Sequence, residues 1–207
     1  MTTSTRVVGV ALAVLVLAPP MVAAQTITDD FSLANAAWRT GPTAEGTSQI
    51  SAGVLLIRNE TASPLASVVR HGSTFTDVVV EVDMMLVDGT DNNWQTVYCR
   101  DTDAGQYSFG VAADGYYNFE VWGRPGAPRL SGSLPPTRHA AIRTGRGAVN
   151  RVRVECVGDR LRFSINGTLV HEVRDTRYTS GQIALTVSSV GDSFSTVLFD
   201  DVRITRP

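Results

Sequence analysis

The feature that most restricts how this chain can fold is a segment, Thr76–Val87, in which apolar and polar residues alternate. Five apolar residues occupy every second position: Val78, Val80, Val82, Met84 and Leu86. A period of two residues places these side chains on one face of a β-strand, whereas an amphipathic helix has a period of about 3.6 residues. The segment therefore predicts a strand with one face buried against a second layer of structure.

Further short apolar or aromatic runs predict additional strands. They are Gly53–Arg58, Leu65–Arg70, Trp94–Arg100, Tyr107–Val111, Tyr116–Trp122, Val149–Val157, Arg160–Ile165, Thr168–Val173, Gln182–Ser188 and Thr196–Ile204. The pairs Asp114-Gly115, Gly158-Asp159 and Asn166-Gly167 are typical of tight hairpin turns. Only Arg138–Ala148 lacks a strand pattern, and it predicts a loop or a short helical turn. About ten to twelve short strands without a long helix predict one all-β domain, a sandwich or a barrel.

The N-terminal segment, Met1–Ala24, has the three parts of a secretory signal peptide. Arg6 precedes an apolar run, Val7–Ala18, and the small residues Val22-Ala23-Ala24 come before Gln25. This run is shorter than the ~20 apolar residues that span a bilayer. We therefore expect Sec-type export, a secreted or extracytoplasmic mature domain over 25–207, and no membrane span in that domain.

The charge composition excludes several chemistries. All 18 basic residues are arginine, so no lysine can act as a nucleophile, form a Schiff base or bind phosphate in a P-loop. The net charge of −2 gives no electrostatic basis for a nucleic-acid partner. The sequence also contains no His-Glu-x-x-His run and no Gly-x-Ser-x-Gly run.

The two cysteines, Cys99 and Cys156, fall at core-facing positions of separate predicted strands. Export would allow them to form a disulfide, and a loop of 56 intervening residues would then contribute about 3–4 kcal/mol in the chain-entropy model. Two buried free thiols are the alternative.

Several segments together resemble the concanavalin A-like lectin/glucanase superfamily, with laminin-G-like and 3-keto-disaccharide hydrolase-like domains of secreted bacterial proteins as the nearest types. The segments are Asp29–Ser32 with Trp38, Asp77–Asp83, Val97–Arg100 with Asp103 and Tyr107, Asp114–Tyr117, Asn150–Gly158, Phe163–Gly167 and Phe199–Val202. The resemblance covers Thr26–Thr205 and implies a two-sheet antiparallel jelly-roll sandwich. It also implies that ligands lie across one sheet face or along its rim loops.

Alternation along three neighbouring strands predicts which side chains leave the core on that face. The candidate ligand-binding residues are Tyr98, Arg100, Tyr116, Asn118, Glu120 and Trp122. Aromatic rings beside hydrogen-bonding groups suit a sugar ring, whose C–H face stacks while its hydroxyls make polar contacts. In the alternative interpretation the aromatic residues only cap a sheet rim, and Arg100 pairs with Glu120.

The candidate catalytic residues are Glu81, Asp83 and Glu120. Glu81 and Asp83 point to one side of one strand, about 7 Å apart, which is within the range of paired acids in glycoside hydrolysis. Laminarinase-type relatives of the resembled superfamily carry Glu-x-Asp-x-x-Glu there, but Leu86 stands in place of the third acid. The alternative is that Glu81 and Asp83 form cross-strand ion pairs with arginine.

Two acidic groups could hold a structural calcium ion, although no cofactor is required. The first group follows the long strand and consists of Asp88, Asp91, Asn92 and Asn93. The second group combines Asp29 or Asp30 with Asp200 or Asp201. These residues are expected to meet because the first and last strands of such sandwiches lie side by side. Calcium takes six to eight oxygen ligands, so either group would also need carbonyls or water.

The leading hypothesis is a secreted, non-catalytic module that binds a poly- or oligosaccharide. A glycoside or 3-keto-glycoside hydrolase using the three carboxylates is the enzyme alternative. A structural or adhesion module that binds protein through an exposed aromatic patch is the third possibility.

Overall fold

In a computed structural model, the chain folds into two antiparallel β-sheets packed face to face. The structure describes residue 2 and residues 24–33, 36–61, 66–124, 129–191 and 193–207. The predicted signal peptide lies almost wholly outside this described part. Within it, no helix has the length and apolar character needed to cross a membrane.

Among the described residues, nine strands form the larger sheet. They are β1 (Gln25–Asp29), β2 (Gly41–Pro42), β3 (Gly46–Ser51), β4 (Val54–Asn59), β6 (Val78–Gly89), β11 (Val149–Val157), β12 (Arg160–Ile165), β13 (Thr168–Arg174) and β15 (Ser195–Arg206). Their order is β13-β12-β11-β6-β15-β4-β3-β2, and β1 also pairs with β15. The first and last strands are therefore neighbours, as expected, with Gln25 opposite Arg206.

In the part of the chain that the structure describes, six strands form the smaller sheet. They are β5 (Ser67–Phe75), β7 (Asn93–Thr102), β8 (Gly105–Val111), β9 (Tyr116–Trp122), β10 (Leu134–Arg138) and β14 (Gly181–Ser189), in the order β10-β9-β8-β7-β14-β5. The all-β jelly-roll sandwich is thus confirmed.

The core lies between the two sheets and follows the alternation in the sequence. On β6 the side chains of Val80, Val82 and Met84 are fully buried, and Phe109 of β8 and Phe119 of β9 enter the same hydrophobic core from the other sheet. Because each strand has a period of two, the remaining side chains point to the two outer faces. One outer face carries the candidate functional site.

The predicted hairpin turns also form. Asn166 and Gly167 both have positive φ, at 50° and 81°, which a type I′ turn requires. Gly158 and Asp159 likewise join β11 to β12, and residues 139–148 form a loop as predicted.

The disulfide between Cys99 of β7 and Cys156 of β11 is present, so the interpretation as two free thiols is wrong. It joins the two sheets through the core, where both residues are fully buried.

Candidate functional site

A groove of about 490 Å³ crosses the outer face of the six-stranded sheet. Its walls and floor come mainly from four neighbouring strands. The strand residues are Trp94, Thr96 and Tyr98 of β7, Ser108 of β8, Tyr116, Asn118, Glu120 and Trp122 of β9, and Thr186 and Ser188 of β14. The aromatic residues therefore line a concave surface.

Alternation on β9 brings four of the sequence-predicted residues into this groove: Tyr116, Asn118, Glu120 and Trp122. The intervening residues Tyr117, Phe119 and Val121 are buried in the core. Tyr98 joins the same groove from β7, and burial raises the pKa of its phenol. The structure brings these five residues together, while their role in ligand binding stays a prediction.

Glu120 fixes the orientation of Trp122. Trp122 Nε1 donates a hydrogen bond to Glu120 Oε2 at 3.0 Å, and Arg129 Nη1 donates to Glu120 Oε1 at 2.8 Å. Both carboxylate oxygens are thus engaged. The indole can turn only by breaking a charge-assisted hydrogen bond, which makes it a preorganised surface for a ligand.

Arg100 does not lie in the groove, and its prediction as a ligand-binding residue is wrong. A register irregularity between Cys99 and Thr102, with φ of 53° at Arg100, interrupts the alternation of β7. The side chain, only 1% exposed, turns away from the groove. Its guanidinium donates to the carbonyl oxygens of Thr76, Cys156, Gly158 and Tyr178.

Glu81 and Asp83 lie on the outer face of the nine-stranded sheet, on the side of the sandwich opposite the groove. Glu81 pairs with Arg153 at 3.4 Å, and Asp83 pairs with Arg151 at 3.3 Å. The cross-strand ion pairs are therefore the correct interpretation. The predicted acid set of Glu81, Asp83 and Glu120 is split between two faces and cannot act on one substrate bond.

Sequence reasoning missed several groove residues. Trp94 has the same parity as Tyr98 on β7, and Thr186 and Ser188 are two residues apart on β14, so alternation could have identified all three. Arg129 lies in a connecting segment without periodicity. Its position follows from an isolated bridge to Trp122, for which the sequence holds no signal.

Asp114 lies at one end of the groove, in the turn before β9. Its Oδ1 atom is buried and has no hydrogen-bond partner among the described residues. Burial raises the pKa of its carboxyl above the usual value, and the nearby negative charge of Asp91 adds to this effect. Perturbed carboxyls of this kind are enriched at functional sites.

A second cleft, of about 520 Å³, continues the groove beyond Tyr98 and Trp122. These two residues and Ala66 line both spaces. The far part is charged, with Arg70 Nε donating to Asp101 Oδ2 at 2.7 Å and with Arg39 and Arg124 at its edges. The face therefore offers one long depression with a chemically distinct section at each end.

The calcium prediction rests on residues that already have protein partners. Asp88 pairs with Arg146 at 3.1 Å, and the buried Asn93 donates to Thr90 O and accepts from Ala113 N. Asp91 is exposed.

At the other candidate group, burial raises the pKa of Asp200, and the carboxylates of Asp201, Asp83 and Asp30 add to the increase. Several carboxylates therefore lie close enough to Asp200 to act on its charge. Within the described ranges, however, no group of three or more His, Cys, Asp or Glu side chains could hold a metal ion. Calcium stays a prediction.

Comparison with protein families gives one clear match. A model of the 3-keto-alpha-glucoside-1,2-lyase-like domain matches residues 23–205. Among curated proteins no sequence matches.

Solved structures share the fold at low sequence identity. The carbohydrate-binding module CBM66 from Bacillus subtilis is 19% identical with a TM-score of 0.58, over 81% of this chain and 94% of that one. A Bacillus licheniformis beta-glucanase is 12% identical with a TM-score of 0.63, over 88% and 98%. The Crh5 transglycosylase in complex with NAG is 15% identical with a TM-score of 0.65, over 86% and 83%. The same sandwich thus serves a binding module and glycan-modifying enzymes.

Proposed function

The chain belongs to the family of 3-keto-alpha-glucoside-1,2-lyase-like domains, and from this premise we propose that it binds carbohydrate in the groove of the six-stranded sheet. The proposed ligand is a poly- or oligosaccharide, held without cleavage. The observation that carries the proposal is the set of aromatic side chains in that groove: Trp94, Tyr98, Tyr116 and Trp122.

The aromatic set suits the two-sided chemistry of a sugar. The C–H face of a pyranose stacks on an aromatic plane, and its hydroxyls need hydrogen-bond partners at the ring edge. Glu120 holds the Trp122 indole in place before a ligand arrives, so binding loses little side-chain entropy there. The hydroxyls of Thr96, Ser108 and Thr186 supply small polar contacts on the floor.

The length of the depression favours a chain of sugars over a single one. Along β9 and beyond, the lining residues run from Tyr116 to Arg124, which at ~3.3 Å per residue is roughly 26 Å. Tyr98 and Trp122 lie near the junction of the two clefts, where a ligand that fills both must contact them.

Retention of the purified protein on polysaccharide affinity gels tests the proposal, with neutral glucans, mannans, galactans and fructans as the gel ligands. We expect retention on at least one gel, lost or weakened about tenfold or more in Trp122→Ala. The matched control is Glu81→Gln, on the opposite face, which should bind like the wild type. Failure of every gel to retain the wild-type protein, or equal retention of Trp122→Ala, would contradict the proposal.

A second candidate, cleavage of a 3-keto-glycoside, is favoured by Asp114. A ketone at C3 acidifies the C2 proton, and the Asp114 carboxylate could remove it because burial raises the pKa of that carboxyl. The C1–O bond then breaks as the C1=C2 double bond forms, and the departing oxygen takes a proton from water. Asp114 replaces Glu81 and Asp83 as the candidate base for this reaction.

Incubation with a 3-keto-α-glucoside decides between binding and cleavage. The elimination product is a conjugated enone, which ultraviolet absorbance detects, and Asp114→Asn should abolish its formation while Glu81→Gln should not. An unchanged substrate after prolonged incubation with the wild-type protein would exclude the enzyme candidate.

The proposed location is outside the cytoplasm. The signal-peptide pattern of Met1–Ala24 supports it, and so does the disulfide, which is rare in reducing compartments. Cell fractionation tests the proposed location. We expect the protein in the culture medium or the periplasmic fraction, and its retention in the cytosol would contradict the proposal.

A further inference from the structure

Three side chains converge over a single glycine at the end of the groove opposite the charged cleft. Gly110 of β8 lies directly across from Thr96 on β7 and from Asn118 on β9. A Cβ atom at Gly110 would clash with Asn118 Oδ1 and would come within 3.1 Å of the Trp94 ring and 3.3 Å of Thr96 Oγ1. We call this arrangement, together with Asp114 of the turn before β9, which lines the same groove, the Gly110 corner.

Asn118 is the unusual member of the Gly110 corner. The residue is only 4% exposed, and its buried Oδ1 accepts no hydrogen bond from any residue that the structure describes. Asp114 Oδ1 is buried without a partner in the same groove. Buried acceptors without donors are costly and rare in folded proteins, so two of them in one lining point to donors supplied from outside.

At the opposite section of the groove, beside Trp122, the carboxylate oxygens already have hydrogen-bond donors. Both oxygens of Glu120 already accept hydrogen bonds, from Trp122 and Arg129. The Trp122 section can therefore stack a ring, while its carboxylate already has two protein donors and less accepting capacity left for ligand hydroxyls. The buried acceptors without donors, in the Gly110 corner, are the stronger candidates for selecting among sugars.

The chemistry of the Gly110 corner restricts its occupant. Two acceptors require a ligand with two hydroxyl donors, and the Trp94 ring beside them requires an apolar face. The carboxylates of Asp114 and Asp91 repel a ligand that carries its own negative charge, and the guanidinium of Arg138, which also acts on Asp114, offsets part of this repulsion. A neutral sugar residue meets all three conditions, whereas a uronic acid fails the third.

We propose that the Gly110 corner is a specificity subsite for one neutral sugar residue, held by two hydroxyls that donate to Asn118 and Asp114 and stacked against Trp94. This inference rests on the proposed carbohydrate binding and adds what that site selects. Asp114 discriminates by charge, Asn118 by the presence of a hydroxyl, and Gly110 keeps the corner open because it lacks a Cβ atom.

A matched pair of ligands tests the proposal: the neutral glycan that the gels retain, and the same glycan oxidised at C6 to its uronate form. Isothermal titration calorimetry gives the affinity of each for the wild type, Asn118→Ala and Asp114→Asn. We expect the wild type to prefer the neutral form, Asn118→Ala to lose about tenfold in affinity for it, and Asp114→Asn to lose most of the preference. Titration at low and high salt should show the preference shrinking as salt screens the charge.

Two controls separate failure of this inference from failure of the proposed function. If the wild type binds a glycan and Trp122→Ala abolishes binding, but Asn118→Ala and Asp114→Asn leave affinity and charge preference unchanged, the subsite is wrong while the function stands. If the wild type binds no glycan, both fail. Gly110→Ala, checked for folding by thermal denaturation, should fold and lose affinity; a folded Gly110→Ala protein with full affinity would overturn the subsite.

Discussion

Asp114 combines two properties that oppose each other. Its carboxylate lines the groove where a charge can serve binding, yet burial raises its pKa, so the folded protein is less stable with this charge than without it. Residues kept for function commonly cost stability in this way. The opposition gives a test that needs no ligand.

Asp114→Asn is expected to raise the free energy of unfolding at neutral pH. A pKa that is higher in the folded state means that wild-type stability falls as pH rises from near 3.8 through the raised value. Asparagine cannot ionise, and Asn-Gly suits the hairpin turn as well as Asp-Gly does. The gain should therefore be present at pH 7 and vanish at acid pH, as urea denaturation at several pH values would show. A variant less stable than the wild type at pH 7 would assign Asp114 a structural role.

At the scale of the elements, regular strands follow from the sequence and irregular ones do not. β6, β9, β11 and β12 were predicted because one buried face imposes a clear alternation. β10 was missed because two prolines interrupt it, and it is tolerated only as the edge of the sheet. β1 and β3 are rich in polar residues, and β2 is only Gly41–Pro42, so none of these three strands has a clear alternation of its own.

The same distinction explains the candidate site. The groove residues of β9 were predictable because β9 is regular from Tyr116 to Trp122. The position of Arg100 was not predictable, because one irregularity in β7 reverses the direction of its side chain. An alternating pattern does not indicate where a strand becomes irregular. The sequence identifies Asp114 only as part of a hairpin turn, because its buried, unpartnered oxygen depends on packing between distant segments.

The irregularity in β7 gives Arg100 a structural role that can be measured. Its guanidinium satisfies the carbonyl oxygens of Thr76, Cys156, Gly158 and Tyr178 at one end of the sandwich. Arg100→Met should lower the free energy of unfolding by about 3 kcal/mol, because buried acceptors lose their donor. Chemical denaturation measures this loss. Arg153→Met, on the exposed ion-paired face, is the control and should cost below ~1 kcal/mol; equal effects of the two variants would contradict the assignment.

At the scale of the whole molecule, the two outer faces are chemically opposite. On the nine-stranded sheet, acidic and basic side chains neutralise one another in cross-strand pairs, such as Arg153 with Glu81 and with Glu155. On the six-stranded sheet, Asn118 and Asp114 keep acceptors without partners in a groove. A sandwich exposes both faces to water, so this asymmetry supports the proposal that a ligand binds on the face with the groove.

The disulfide connects these two faces through the core, since Cys99 lies on the sheet with the groove and Cys156 on the ion-paired sheet. In the chain-entropy model its loop makes the unfolded chain less favourable by about 3–4 kcal/mol. Cys99→Ala with Cys156→Ala should lower the free energy of unfolding by about that amount.

Glycan affinity should change little in the same double variant below its unfolding transition. Cys99 points into the core and contributes nothing to the groove lining, while Tyr98 beside it points outward. Urea denaturation and calorimetry on one preparation separate the two effects. A double variant as stable as the wild type would show that packing alone holds the sheets together, and a stable fold with lost affinity would show that the disulfide positions β7 for binding.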